Sequence, residues 1–331
     1  MRRVIRRIGI YLVAIGAAVT INFFLPRLAP GNPALVVFYR LSSHGNVSPA
    51  TLHALELEFG VNTTDPLWVQ YFGYLNNLLH GNLGVSTNYF PSSVGAIIGQ
   101  DIKWTLVLLT VSVALSFGLG TLLGIIVAWK HGTVLDTLVS VTMTFFYSIL
   151  FPWLALVAVY VLGFKLGWFP FADGYDLATT PGWNADFLAS AVYHAILPAL
   201  TLIVSTVAGW MLTMRNSMIT TLAEDYVLMG RAKGLSPRRV MFAYAARNAI
   251  LPSVTGFAIA LGAVVGGALL VEIVFSYPGI GYALFQAIQS QDYALADGIL
   301  LLVIVATVLM NLVVDVLYTV LDPRTRQERS A

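Results

Sequence analysis

Six long stretches of this 331-residue chain carry almost no charge, and each is near the length a helix needs to cross a bilayer. A hydrocarbon core of about 30 Å takes about 20 helical residues. The stretches are Ile8–Pro26, Trp104–Trp129, Thr137–Phe164, Phe187–Met214, Ala249–Val271 and Gly298–Leu321, the last interrupted by Asp315. The expected fold is therefore all-α and transmembrane, with six helices. Only 10% of residues are charged and the mean hydropathy is +0.79, whereas soluble domains carry about 25% charged residues. Pro152 and Pro198 lie inside the third and fourth stretches, a placement membrane helices tolerate when neighbours re-satisfy the freed carbonyl. Ile8–Pro26 exceeds the apolar core of a secretory signal and shows no clear small-x-small cleavage site, so a retained anchor is expected. With no cysteine in the chain, disulfides, thiolate metal sites and cysteine nucleophiles are all excluded.

Basic residues favour the cytoplasmic side of a membrane. With the N-terminus inside, fourteen of the eighteen Lys and Arg residues fall on inner segments. These are Arg2, Arg3, Arg6 and Arg7, Lys130, six residues from Arg215 to Arg247, and Arg324, Arg326 and Arg329. Only Arg27, Arg40, Lys103 and Lys165 fall outside. Both termini are thus expected in the cytoplasm. The chain divides into residues 1–28 (stub and first span), an outer segment 29–103, a core 104–321 and a tail 322–331.

The outer segment opens on a turn cluster, Leu28-Ala-Pro-Gly-Asn-Pro33. Ser48 and Pro49 then cap and open a short helix carrying Leu52, Leu55 and Phe59, which Gly60 stops. Asp65-Pro66 opens a second helix with Trp68, Tyr71, Phe72 and Leu75 as its apolar face. Both helices are expected on the outer membrane surface, as a cap over the bundle or a docking surface for a soluble partner. A second outer segment, 163–186, is acidic and aromatic. A third contains the Pro278-Gly279 turn and a short helix from Tyr282 to Gln289. Gly120/Gly124 and Gly262/Gly266 have the spacing that lets helix backbones approach closely.

The most informative segment is polar and basic: Glu224 to Pro252, within an inner hairpin at 215–248. A loop returning directly to the bilayer needs only a few residues. Here Leu222, Tyr226 and Met229 recur with helical spacing as an apolar stripe. Glu224 and Asp225 fall in the first turn, where negative charge suits the helix dipole. Arg231, Ala232 and Lys233 precede Gly234, a C-terminal stop. Ser236 and Pro237 cap and open a second helix bearing Arg238, Arg239 and Arg247. The inside rule explains the charges but not this ordered punctuation. Helix, glycine corner and helix form a lever that a soluble motor domain can grip.

This segment resembles the cytoplasmic "EAA" loop of ABC-importer permeases, specifically the oligopeptide/dipeptide/nickel-type family. The basic start leading to Ala29-Pro-Gly-Asn-Pro33 agrees, as do Gly81-Asn-Leu-Gly84-Val-Ser86, Glu272-Ile-Val-Phe-Ser-Tyr-Pro-Gly-Ile-Gly281, Gln291-Asp-Tyr293, Asn311 to Asp315 and Leu321-Asp-Pro-Arg324. The match runs in order over nearly the whole chain. Leu228-Met229-Gly230 departs from it, standing where the general loop has Glu-Ala-Ala, and Gly230 replaces a usual alanine. The interval from Gly234 to Pro252 is also longer than in the general motif. The resemblance implies a type I importer half-pore in the cell inner membrane, with short outer surface helices and a coupling helix in the hairpin. Its implied partners are a second homologous permease, two cytoplasmic ATPase subunits and an extracytoplasmic substrate-binding protein, with membrane lipid around the spans and no nucleic acid. ATP and Mg would sit on the ATPases, with no cofactor on this chain. The sequence agrees in having no GxxxxGK[ST] phosphate loop. Peptides are the cargo most often handled by this family, with oligosaccharides, nickel or glutathione as alternatives.

Charge inside a membrane is expensive. Glu272 and Asp315 lie toward the ends of the fifth and sixth spans, where they can reach water or partner side chains. Ser205, Thr206, Trp210, Asn216 and Asn311 are milder polar candidates for a translocation pathway, or for hydrogen bonds between helices. His44, His53, His80, His131 and His194 show no metal-ligand spacing, and no Ser/His/Asp or HExxH arrangement appears, so no catalytic or metal residue is assigned. A stand-alone ion-driven carrier is disfavoured because no charge lies at a midplane. A membrane scaffold that recruits cytoplasmic proteins through the hairpin stays open.

Overall fold

The computed structural model describes residues 2–28, 33–43, 48–58, 66–264 and 269–321. In chain order, α1 is Arg2–Leu28, α2 Pro33–Ser42, α3 Pro49–Glu58, α4 Leu67–Leu79 and α5 Val94–Trp129. Next come α6 Val134–Ser148, α7 Phe151–Ala158 with a π-helical continuation Val159–Lys165, α8 Ala185–Leu222 and α9 Asp225–Ala232. The remainder are α10 Pro237–Arg239, a π-helical stretch Val240–Ala246, α11 Arg247–Ala249, α12 Leu251–Ala263, α13 Leu269–Val274, α14 Ile280–Gln289 and α15 Tyr293–Leu321. The fold is all-α, as the apolar pattern requires. The Leu28–Pro33 turn, the Gly60 stop, Asp65, Gly266, the side chain of Asp315 and the tail with Arg324, Arg326 and Arg329 lie outside the described residues.

Of the six expected spans, three stand as single helices of the required length and hydropathy among the described residues: α5, α8 and Tyr293–Leu312 of α15. The first and fifth appear as shorter apolar helices, Gly9–Phe24 and Leu251–Gly262. The third departs from expectation, because α6 and α7 meet at 95°. Ile149 and Leu150 are both extended there, and Pro152 sits in the first turn of α7. Had α6 run on, the Pro152 ring would have met the Ser148 carbonyl and removed its hydrogen bond. The first turn of a new helix, whose N–H groups have no helical partner, suits proline. Pro198, by contrast, is buried within the unbroken 38-residue α8.

The chain forms two compact units, residues 1–105, 265–269 and 278–331, and residues 106–264 and 270–277. In the first, α1 packs along α15, and Asn22 donates to the Asp297 carbonyl at 2.8 Å. Among its described residues, segment 29–103 holds one helix more than expected: α2 packs on α3 through Ala34, Val37 and Leu55. Ser48 caps α3 as expected, its hydroxyl accepting from the Ala50 N–H at 3.3 Å. Two separated motif segments also meet in this unit. Asp292 is fully buried; its Oδ1 caps α15 by accepting from Leu295 N–H, while Oδ2 accepts from Ser86 Oγ and the Asn88 N–H.

In the second unit α5 and α8 approach to backbone contact. A Cβ on Gly120 would lie 2.6 Å from the Val207 carbonyl, and one on Gly124 2.6 Å from that of Met211. The expected close approach is therefore real at this pair. Glu272 is completely buried rather than open to water, because α13 turns both Val271 and Glu272 inward. Beside it, burial pushes the Tyr277 phenol above its usual range, and the Glu272 carboxyl adds to the effect.

Candidate functional site

The 215–248 hairpin lies wholly in the second unit. The α8 helix runs eight residues past the expected end of its span and stops at Leu222, and a two-residue corner, Ala223-Glu224, leads into α9. Leu222 is consequently the last residue of α8, not the start of the α9 stripe, and packs into the cluster that holds the hairpin. Glu224 occupies the N-cap without bonding through its side chain, and Asp225 takes the first helical position. The C-terminus closes as a Schellman motif. Leu235 N–H donates to the Gly230 carbonyl (3.3 Å), Gly234 N–H to that of Arg231 (3.0 Å), and Gly234 has φ +71°. A side chain at that φ costs roughly 1–2 kcal/mol, which explains glycine at the corner. Ser236 stands at the N-cap of α10 with Pro237 after it, but its hydroxyl makes no cap bond. Its extended backbone and the preset φ of Pro237 are enough to restart the helix.

The two faces of α9 differ sharply. Val227 and Gly230 are buried, and Val227 enters an apolar cluster with Ile125, Met214, Met218, Val240 and Ala246. The C-terminal ends of α5 and α8 and the π-helical stretch therefore grip α9. Two polar contacts add to this hold. Asn248 donates to the Tyr226 hydroxyl at 2.9 Å, and the Arg231 guanidinium lies 5.3 Å from the centre of the Trp129 ring, within cation–π range. The opposite face, with Leu228 and Met229, is open, and Tyr226 at its edge is 37% exposed. Glu224, Asp225, Ala232, Lys233 and Gly234 are exposed as well. Sequence pattern identified Tyr226 and Met229 as an apolar stripe but missed Val227, the anchor. With only eight helical residues, periodicity does not distinguish the buried side from the open one.

A second feature was not legible from the sequence. Asp136, at the start of α6 and 4% exposed, accepts from Arg215 Nε (2.6 Å) and Nη2 (2.9 Å). The Gly132 N–H (3.1 Å), His131 Nδ1 (2.8 Å) and Ser140 Oγ (3.2 Å) complete its surroundings. Such a bidentate pair is geometrically specific. It clasps the start of α6 to the C-terminal part of α8, one turn before Met218. In the sequence Arg215 is simply one of six basic residues between 215 and 247. Its partner is 79 positions away in the chain, and no local spacing announces it.

The pathway candidates are only partly gathered. Ser205, Thr206, Trp210 and Asn216 share α8, whereas Asn311 is exposed on α15 in the other unit. Thr206 bonds Ser116 of α5 at 2.7 Å, and Ser205 donates to the Leu202 carbonyl of its own helix. Trp210 meets the Phe117 ring edge-on at 5.4 Å, and Phe117 stacks on Phe257 at 4.4 Å. A Cβ added at Gly120 or at Gly256 would press on Trp210, at 2.6 and 3.2 Å respectively. Asn216 is exposed beside the Asp136–Arg215 clasp.

The chain is thus an all-α membrane protein with a half-open hairpin, and comparison with known proteins gives its family. Residues 120–327 match the family model described as binding-protein-dependent transport system inner membrane component. The chain belongs to that family, the ABC-importer permeases that the hairpin resembles. It is 35% identical to the di/tripeptide transport system permease protein DppB of Pseudomonas aeruginosa, with 98% of each chain covered. It is 32% identical to the dipeptide transport system permease protein DppB of Escherichia coli K12, covering 98% of this chain and 99% of the relative. With the oligopeptide transport system permease protein AppB of Bacillus subtilis the identity is 30%, over 97% and 98%. These relatives are permease proteins by name.

Proposed function

We propose that the chain is one half of the pore of an ATP-driven importer of di- and oligopeptides, working with a second permease, two ATPase subunits and an external binding protein. One observation carries the reading: α9 is anchored by Val227 and Gly230 while Leu228 and Met229 are left uncovered. A partner that pushes on the open face displaces the cluster behind it, and with it the inner ends of α5 and α8. The names of the relatives support peptides over oligosaccharides, nickel or glutathione as cargo. In this reading ATP and Mg are handled by the partner ATPases, the hairpin faces the cytoplasm, and both termini lie on that side, as the basic residues favour.

The test is peptide uptake and ATP hydrolysis by the complete complex in proteoliposomes with Ala232→Glu. Ala232 is exposed, so the expected result is an intact complex whose ATP hydrolysis no longer drives uptake. Unchanged coupling in that variant would overturn the role of the hairpin. Failure of the wild-type complex to take up any di- or oligopeptide would overturn the cargo.

A further inference from the structure

The geometry points to α4 as a helix embedded in the surface of the bilayer, with its open apolar edge covered by lipid acyl chains rather than by a soluble partner. Thirteen residues, Leu67–Leu79, without one charge, span about 20 Å at 1.5 Å per residue, too short to cross a core of about 30 Å.

Projected at 100° per residue, the helix shows three edges. One lies against α1: the Tyr71 and Tyr74 rings meet Phe23 at 5.1 and 5.6 Å, and the Tyr71 hydroxyl bonds Thr20 at 2.9 Å. A second edge groups Trp68, Phe72 and Leu79 within about 40°, at 66%, 62% and 86% exposure. On the third lie Gln70, Gly73, Asn76 and Asn77, with Val69 among them. A helix with one apolar edge, one polar edge and no charge suits the boundary between acyl chains and headgroups, where tryptophan also collects.

Depth and continuity favour lipid as the occupant. Thr20 and Phe23 lie toward the end of α1 remote from its basic start, so α4 is fastened near a membrane surface whichever way the chain is inserted. On α1 itself, Ile21 and Phe24 are open at 63% and 42%, flanking the Phe23 that seats α4. The lipid-facing surface of that span thus runs on to α4 without a charged interruption.

This chain has no native cysteine, so in a complex assembled with cysteine-free partner subunits each label occupies one site. Nitroxide labels are placed singly at Trp68→Cys and Phe72→Cys on the apolar edge, and at Gly73→Cys and Asn77→Cys on the polar edge. The complete complex is reconstituted in phosphatidylethanolamine/phosphatidylglycerol vesicles. Collisions with oxygen, which concentrates in acyl chains, are compared with those of a water-soluble nickel chelate. The expected oxygen-to-nickel ratio is several-fold higher on the apolar edge. Equal ratios on both edges, or exclusion of both reagents from the apolar edge, would overturn the assignment in favour of water or a covering protein. Native Trp68 gives an independent reading. Bromine-labelled acyl chains should quench a fraction of the fluorescence that Trp68→Phe removes, and an unchanged quenched fraction in that variant would refute the placement.

Discussion

The Asp292 junction and the α9 hairpin both assemble segments that family resemblance marks, yet they leave opposite surfaces behind. At Asp292 the contacts are polar and turn inward: the Ser86 hydroxyl and the Asn88 and Leu295 N–H groups all donate to one buried carboxylate, which also caps α15. At α9 the anchoring is mainly apolar and one-sided, and Leu228 and Met229 are left uncovered. A motif can therefore serve to lock two distant segments together or to present a surface. Only the direction of burial separates the two uses.

Variants can sharpen this contrast. The largest loss is expected at the Asp136–Arg215 clasp behind the hairpin. Arg215→Met strands a buried carboxylate and should cost about 3–5 kcal/mol, read as a fall in thermal unfolding temperature of the purified complex. Asp292→Ala should follow at about 3 kcal/mol, since three donors lose their acceptor and α15 its cap. Equal stability of that variant and the wild type would remove the Ser86–Asp292 lock from the account. Gly234→Ala forces an L-residue to the +71° φ of the corner and should cost roughly 1–2 kcal/mol. Gly230→Ala is expected to act in the other direction. The new methyl group would sit 3.5 Å from the Tyr244 ring, an ordinary contact, and the helix gains up to about 1 kcal/mol. The smallest stability change, within about 0.5 kcal/mol, is expected for Met229→Glu on the open face. That variant should nonetheless lose peptide uptake while ATP hydrolysis persists, and retained uptake would show that the open face is not the contact.

Much of the fold was legible because hydrocarbon leaves a chain few choices. Long uncharged runs must be helical, and the start of α3 and the stop of α9 were readable from Ser48-Pro49 and Gly234, whose local chemistry is sufficient to act alone. The 95° break between α6 and α7 was not. Pro152 and Pro198 look equivalent in sequence, and whether a helix survives a proline depends on what packs around it. The candidate site was half legible for the same reason. Tyr226 and Met229 stood out by spacing and Gly230 by its departure from the family loop, but Val227 as anchor, Leu222 as part of α8 and Asp136 as the partner of Arg215 depend on which surfaces meet.

Sequence by itself determined an all-helical membrane protein, a basic hairpin with a glycine corner, and the family to which these belong. Those properties follow from hydropathy, charge and the few φ values each turn permits, all of which act over a handful of neighbours. Tertiary structure alone decided which face of α9 is covered, where the third span breaks, and that Asp136 and Asp292 are buried and bonded from far along the chain. Burial and pairing at such separations are consequences of packing, and packing is not written in any one segment.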